Sequence, residues 1–153
     1  MNADHHAHHV RVLVVDDSPE SRGALGDAVA HTTGFELVGA VASGSEALAV
    51  LPRLNPDLVL LDIRMDGLNG VETSRRIRAS GARGVVVLVS ALRRSELPAG
   101  VSTCGAAAIL DKAKVSPRRL GALWRRLESD RADSGLGRRH RPHEEYAAVP
   151  DTA

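Results

Sequence analysis

The sequence contains few aromatic residues, a single cysteine and no long apolar run. Phe, Trp and Tyr together make up 2% of the 153 residues, so a core must be built from Val, Leu, Ile and Ala. The single Cys104 excludes an internal disulfide bond, and we expect it to pack as a small apolar side chain. No apolar run reaches the ~18 residues that cross a membrane. The formal net charge of +1 gives no general attraction to nucleic acid or to an anionic membrane.

The two ends of the chain lack the pattern of a folded domain. Residues 1–9 include four histidines but have no basic start followed by an apolar stretch, so they do not resemble a secretory signal. We interpret them as a flexible polar leader rather than as a metal site. From Ser129 onwards the apolar periodicity stops, and residues 130–153 are predicted to form a disordered tail. One cytoplasmic domain over residues 10–129 remains.

Between those ends, short apolar runs alternate with segments of helical periodicity. The runs are rich in β-branched residues and predict five strands, at residues 10–15, 35–41, 57–61, 84–89 and 106–110. Helical segments follow the first three strands and the last one, and this alternation predicts an α/β fold with a parallel sheet. The connection over residues 93–105 contains Pro98, Gly100 and Gly105, which predict a short or irregular helix there.

Four of the predicted strands end abruptly in charged or hydroxyl residues. These are Asp16 with Asp17, then Asp62, Ser90 and Lys112. The carboxyl ends of parallel strands lie at one edge of a sheet, where open α/β folds bind ligands, so these side chains should converge. One acidic strand end is often only a helix N-cap. Four strand ends that carry carboxylate, hydroxyl and ammonium groups favour a functional site over four separate helix caps.

These residue types are suited to phosphoryl chemistry. Three carboxylates held together repel one another unless a cation neutralises them, and oxygen ligands with room for water suit Mg²⁺. A lysine ammonium and a serine hydroxyl, here Lys112 and Ser90, can each bind an oxygen of a phosphoryl group. Asp62 ends the most continuous apolar run and is the natural nucleophile for an acyl-phosphate.

Four local motifs occur with consistent spacing along the chain. They are Val-Leu-Val-Val-Asp-Asp-Ser-Pro ending at Pro19, Ser-Gly-Ser-Glu-Ala-Leu ending at Leu48, Pro-Asp-Leu-Val-Leu-Leu-Asp-Ile-Arg-Met ending at Met65, and Asp-Lys ending at Lys112. With them, residues 10 to about 128 resemble the bacterial two-component response-regulator receiver domain, especially receivers that precede helix-turn-helix output domains. The resemblance implies a flavodoxin-like fold with the sheet order 2-1-3-4-5.

The resemblance also implies a role for each site residue. Asp17 and Asp62 would bind Mg²⁺ directly, Asp16 would assist through water, and the backbone carbonyl of Arg64 would complete the protein ligands. Asp62 would accept the phosphoryl group from a phosphohistidine of a sensor histidine kinase or a phosphotransfer protein. Lys112 and Ser90 would bind the transferred group.

Some positions carry residues that differ from those common in the family. Asp66 and Ala113 stand where proline is frequent, and Ile109 occupies the position of the usual aromatic switch residue. Because the acidic, hydroxyl and lysine positions are all present, we expect an intact phospho-acceptor site. The departures predict an unusual route of signal transmission.

Several interpretations of function remain open at this point. The first is a phosphorylation-dependent signalling module that is not an enzyme acting on other molecules. Residues 130–153 are too few for a helix-turn-helix, so output would pass through an unknown partner protein or a homodimer, without direct binding to nucleic acid or membrane. A second is a receiver-like interaction module that works without phosphorylation. A third is a Mg²⁺-dependent phosphohydrolase, which Arg64 disfavours because a second acid is common at that position.

Overall fold

A five-stranded parallel sheet forms the centre of the molecule. The structure, a computed structural model, describes residues 9–134. The strands are β1 (Val10–Val15), β2 (Phe35–Val41), β3 (Leu58–Asp62), β4 (Val85–Ser90) and β5 (Ala108–Asp111). Their spatial order is β2-β1-β3-β4-β5, and every neighbouring pair is parallel. The predicted α/β class and sheet order are confirmed.

Four helices flank the sheet. They are α1 (Pro19–Ala30), α2 (Gly44–Leu54), α3 (Gly70–Ala79) and α4 (Pro117–Ser134). Three of them begin at a residue whose side chain accepts a backbone N–H of the first turn, namely Ser18, Ser43 and Asn69. No helix within residues 9–134 combines the length and apolar character needed to cross a membrane.

The sheet separates two apolar cores. Because strand side chains alternate between faces, Val12 and Leu60 pack with α1 and α4, whereas Leu13 and Leu61 pack with α2 and α3. Each residue of β3 and β4 is buried, as expected for central strands covered on both faces. The indole of Trp124 is buried and packs edge-on against Phe35 with 6.4 Å between ring centroids.

The connection between β4 and β5 contains no α-helix within residues 91–107. It has one short 3₁₀ turn, Arg94–Glu96, followed by turns in which Gly100 and Gly105 adopt φ values of 85° and 84°. Glycine tolerates this left-handed backbone without steric cost, so the irregular path predicted for this segment is confirmed. Cys104 is 2% exposed and packs in the α2 and α3 core, also as predicted.

The last helix continues further than the sequence pattern predicted. Its buried apolar stripe ends at Leu127, but the helix itself runs to Ser134, so the predicted start of a disordered tail at residue 130 is wrong. Only Arg131 and Ala132 among residues 129–134 are strong helix formers, so the extension depends mainly on continuation from the packed turns before it. The remaining predictions for the tail, residues 135–153, and for leader residues 1–8 lie outside the described part of the chain; His9 is exposed.

Candidate functional site

Three carboxylates meet where β1 and β3 end. One oxygen from each of Asp16, Asp17 and Asp62 lies within 4.8 Å of the others. Asp16 and Asp62 are buried, and Asp17 is more exposed. The loop geometry holds the first two carboxylates in place, because Asp16 Oδ1 accepts the Ser18 N–H at 2.9 Å and Asp17 Oδ2 accepts the Asp66 N–H at 3.2 Å. The predicted convergence of these residues is therefore observed.

Lys112, which directly follows β5, brings a positive charge to this cluster. Its Nζ lies 2.9 Å from Asp16 Oδ2 and 3.2 Å from Asp62 Oδ2, and its side chain is 20% exposed. The contact with Asp62 is a hydrogen bond. The contact with Asp16 is an ion pair with a buried carboxylate oxygen.

The electrostatics of the cluster reflect an excess of negative charge. Burial raises the pKa of Asp62 above its ordinary value of 3.8, and the negative charge of Asp16 raises it further. Lys112 and a backbone hydrogen bond from Arg64 lower the Asp62 pKa, but they do not compensate fully. Burial lowers the pKa of Lys112, yet the contacts with Asp16 and Asp62 outweigh this effect and raise it. One ammonium therefore neutralises the site only in part.

This donor set fits a hard divalent cation. All three acidic groups offer oxygen, and a single ammonium contacts only two of them. Mg²⁺ prefers a few carboxylate oxygens and keeps several waters. Asp16, Asp17 and Asp62 would hold such an ion.

Ser90 ends the strand next to β3, and Arg64 lies two residues after Asp62. Ser90 ends β4, one residue past Val89, which pairs with Asp62 across the sheet. Its Oγ is buried and accepts the N–H of Leu92 at 2.9 Å, so the hydroxyl proton remains able to donate. Arg64 has an exposed side chain, and its backbone lies next to the Asp62 carboxylate.

Gly70 is a positioning residue of the acceptor loop that the sequence reasoning missed. Its N–H donates to the carbonyl of Ile63 at 2.9 Å. A Cβ at this position would overlap the carbonyl oxygen of Asp62 and lie 2.7 Å from the Cα of Ile63. The glycine therefore lets α3 begin directly against the backbone of the acceptor. The glycine that follows the capping residue Asn69 was the available signal.

Comparisons with known proteins agree with the fold. A family model described as "Response regulator receiver domain" matches residues 12–123. A protein-glutamate methylesterase/protein-glutamine glutaminase from Nocardioides sp. is 35% identical over 122 residues, which are 80% of this chain and 33% of that protein. The response regulator GacA from Pseudomonas viridiflava is 35% identical over 103 residues, which are 67% of this chain and 48% of that protein. The chain thus spans half or less of these two relatives.

Solved structures give the same assignment. The signal receiver domain of the response regulator NarL from Mycobacterium tuberculosis has a TM-score of 0.66 and 28% identity, covering 85% of this chain and 98% of that one. The response regulator domain of CheB from Thermotoga maritima has a TM-score of 0.64 and 28% identity, covering 79% of this chain and 95% of that one. With a family model that matches most of the chain, the resemblance inferred from sequence is confirmed. The chain belongs to the response regulator receiver domain family of two-component systems.

Proposed function

We propose that this receiver accepts a phosphoryl group on Asp62 in a Mg²⁺-dependent reaction. The donor is a phosphohistidine on a sensor histidine kinase or on a phosphotransfer protein. The observation that carries the proposal is the arrangement of Asp16, Asp17 and Asp62 within 4.8 Å, with the Lys112 ammonium in contact with two of them. A cluster of this kind can both activate one carboxylate and stabilise the charge of an incoming phosphoryl group.

The chain's own residues perform distinct tasks in this reaction. An oxygen of the Asp62 carboxylate attacks phosphorus, a P–O bond forms, and the P–N bond to the donor imidazole breaks with its electron pair remaining on nitrogen. Lys112 moves its hydrogen bond from Asp62 to a phosphoryl oxygen, and Ser90 donates its hydroxyl proton to another. Asp16, Asp17, Asp62 and the backbone carbonyl of Arg64 would hold Mg²⁺, which would supply positive charge beside the phosphoryl oxygens.

Phosphorylation also moves the negative charge of Asp62 away from Asp16. In the resting site, the Asp16 charge raises the Asp62 pKa, and Lys112 contacts both carboxylates. When Asp62 becomes an acyl-phosphate, the negative charge moves outward to the phosphoryl oxygens, and Lys112 follows it. The two states therefore differ in the position of a partly buried ammonium, which is a change that neighbouring elements can sense.

We further propose that the chain acts in the cytoplasm as a signalling module and not as an enzyme on other molecules. The methylesterase activity named for the Nocardioides relative belongs to a protein of which the match covers 33%. Signal output would pass to a partner protein or through a homodimer, without direct contact with nucleic acid or membrane.

Intact-mass measurement tests the proposed phosphorylation. The chain is incubated with acetyl phosphate in the presence of Mg²⁺ or EDTA, and the gain of one phosphoryl mass is followed. We expect this gain in the wild type with Mg²⁺ and none in Asp62→Asn. Asp66→Asn is the matched control, because Asp66 lies in the same loop, is exposed and contributes only its backbone N–H to Asp17. It should be phosphorylated like the wild type.

The result separates the open alternatives. Equal mass gain in the wild type and in Asp62→Asn would refute Asp62 as the acceptor. Absence of any gain, together with no Mg²⁺-dependent binding of beryllofluoride, would favour the interaction module that works without phosphorylation. Continuous release of phosphate from several small phosphoesters would instead favour a phosphohydrolase.

A further inference from the structure

The side chain of Arg22 reaches back from helix α1 to the end of strand β1. Its Nη1 donates a hydrogen bond to the backbone carbonyl of Asp16 at 2.9 Å. Arg22 lies in the first turn of α1, and its own N–H bonds to the carbonyl of Ser18 at 2.8 Å. Further along the same helix, Leu25 and Val29 are buried in the apolar core. The guanidinium therefore projects from an element that is itself packed in place.

The carbonyl that Arg22 binds belongs to the peptide group between two of the three carboxylate residues. A trans peptide is planar, so a donor that holds the Asp16 carbonyl also sets the direction in which the chain continues to Asp17. Asp16 is fully buried, and its N–H bonds to the carbonyl of Val41 at 3.1 Å, so the backbone is fixed on that side as well. Arg22 thus restrains the peptide plane from which the Asp17 side chain starts.

Asp17 is the carboxylate of the cluster that depends most on this restraint. Lys112 contacts the carboxylates of Asp16 and Asp62 and holds both. The Asp17 carboxylate accepts the N–H of Asp66 at 3.2 Å, at the long end of the usual range, and it is the most exposed of the three. Its position therefore follows its backbone more closely than the positions of the other two carboxylates do.

We propose that Arg22 is a positioning residue of the metal site, whose hydrogen bond to the Asp16 carbonyl aims the Asp17 carboxylate at the ion. This inference rests on the proposed function, because it requires that the acidic cluster binds Mg²⁺. Mg²⁺ demands stricter ligand geometry than Ca²⁺, so loss of the restraint should weaken Mg²⁺ binding more than Ca²⁺ binding. Loss of the Arg22 charge alone would have the opposite sign, because removal of a nearby cation favours the binding of another.

Titrations of the full chain with Mg²⁺ alone and with Ca²⁺ alone, followed by amide NMR spectra, test this role. We expect Arg22→Met to weaken Mg²⁺ binding about tenfold, a size typical of residues that orient metal ligands, and Ca²⁺ binding by less than about threefold. Arg11→Met is the matched control. Arg11 is also half-buried and donates to a backbone carbonyl, that of Leu54 at 2.7 Å, but it lies near the start of β1. This variant should bind both ions like the wild type.

Two further measurements separate positioning from a loss of folding. Urea unfolding in EDTA should give similar stabilities for Arg22→Met and Arg11→Met, since each loses one bond from a half-buried guanidinium to a carbonyl. Arg22→Lys keeps the positive charge but replaces the planar guanidinium by a shorter side chain with a compact ammonium. We expect it to weaken Mg²⁺ binding at least about threefold. If Arg22→Met does not fold, Arg22→Lys provides the test.

The possible results distinguish the restraint from the metal site itself. If the wild type binds neither ion, or if Asp17→Asn binds Mg²⁺ as tightly as the wild type, the metal site of the proposed function is wrong and the inference fails with it. If the wild type binds Mg²⁺ and the Arg22 variants bind it equally well or better, the positioning role is refuted and the proposed function stands. Equal weakening for Mg²⁺ and Ca²⁺, an equal loss in Arg11→Met, or full Mg²⁺ affinity in Arg22→Lys also refutes the positioning role.

Discussion

Replacing Lys112 by methionine should destabilise the protein in the absence of metal and increase its response to Mg²⁺. The side chain is 20% exposed, and its ammonium contacts Asp16 at 2.9 Å and Asp62 at 3.2 Å. Methionine keeps the apolar stem but leaves two buried carboxylates without this cation. Breaking a fully buried ion pair costs about 3–5 kcal/mol, and an exposed one costs below about 1 kcal/mol. For a partly buried lysine with two partners we expect a loss of about 2 kcal/mol.

Mg²⁺ should reverse most of this loss, because the ion neutralises the same carboxylates. The lysine competes with the ion in the wild type, so its removal should strengthen Mg²⁺ binding by about tenfold or more, which corresponds to about 1.4 kcal/mol. Stability that is gained by ligand binding rises with the ratio of ligand concentration to dissociation constant. At equal Mg²⁺, Lys112→Met should therefore gain more unfolding free energy than the wild type.

Urea unfolding in EDTA and in a series of Mg²⁺ concentrations measures both effects. Arg118→Met is the control for loss of one positive charge, because Arg118 is exposed in the first turn of α4. It should change stability by less than about 0.5 kcal/mol and leave the Mg²⁺ response as in the wild type. If Lys112→Met matches this control in EDTA, or if its Mg²⁺ response does not exceed that of the wild type, the reasoning on charge at this site is wrong.

Three further substitutions test the site and the core. Asp62→Asn should raise the unfolding free energy at neutral pH in EDTA. Burial and the Asp16 charge raise the pKa of Asp62 in the folded protein above 3.8. The stability that comes from the protonated Asp62 is therefore present below pH 3.8 and is lost as the pH rises through the folded-state pKa. The difference between wild type and variant should vanish in acid, and a variant that is less stable at neutral pH would contradict the pKa direction. Gly70→Ala should cost about 1–3 kcal/mol and slow phosphorylation by acetyl phosphate, since its Cβ overlaps the Asp62 backbone; unchanged rates and stability would show that α3 does not constrain the acceptor. Leu120→Ala, at a side chain with 0% exposure, should cost about 2–5 kcal/mol in chemical denaturation while Mg²⁺ binding persists in the folded fraction; a cost below about 1 kcal/mol would mean that this part of the core is loosely packed.

The sequence was sufficient to predict the sheet because each strand carries its own local signal. Apolar β-branched runs specify the strands, and the residue at which each run stops specifies the edge that carries the site. Asp16, Asp17 and Asp62 could be placed together from this pattern alone, and the structure brings their oxygens within 4.8 Å. Cys104 is also buried among apolar residues, as expected for a free thiol.

The remaining features depend on contacts between distant segments, which no local pattern encodes. The sequence predicted that Lys112 would bind a phosphoryl group, but it did not reveal that the ammonium contacts both Asp16 and Asp62. The role of Gly70 depends on how closely α3 approaches the Asp62 backbone. The last turns of α4 were missed for another reason, because they carry no apolar stripe and are helical mainly through continuation from a packed helix.

The assembly of the site from separate strand ends has a consequence for biosynthesis. Asp16 and Lys112 are 96 positions apart, and the strands between them pair only in parallel, so no local hairpin can form any part of the site early. Such non-local pairing is slow, and it completes only after the last strand is available. A nascent or partly folded chain therefore has Asp62 without the nearby ammonium of Lys112. If Asp62 accepts the phosphoryl group as proposed, the complete site exists only after β5 has joined the sheet.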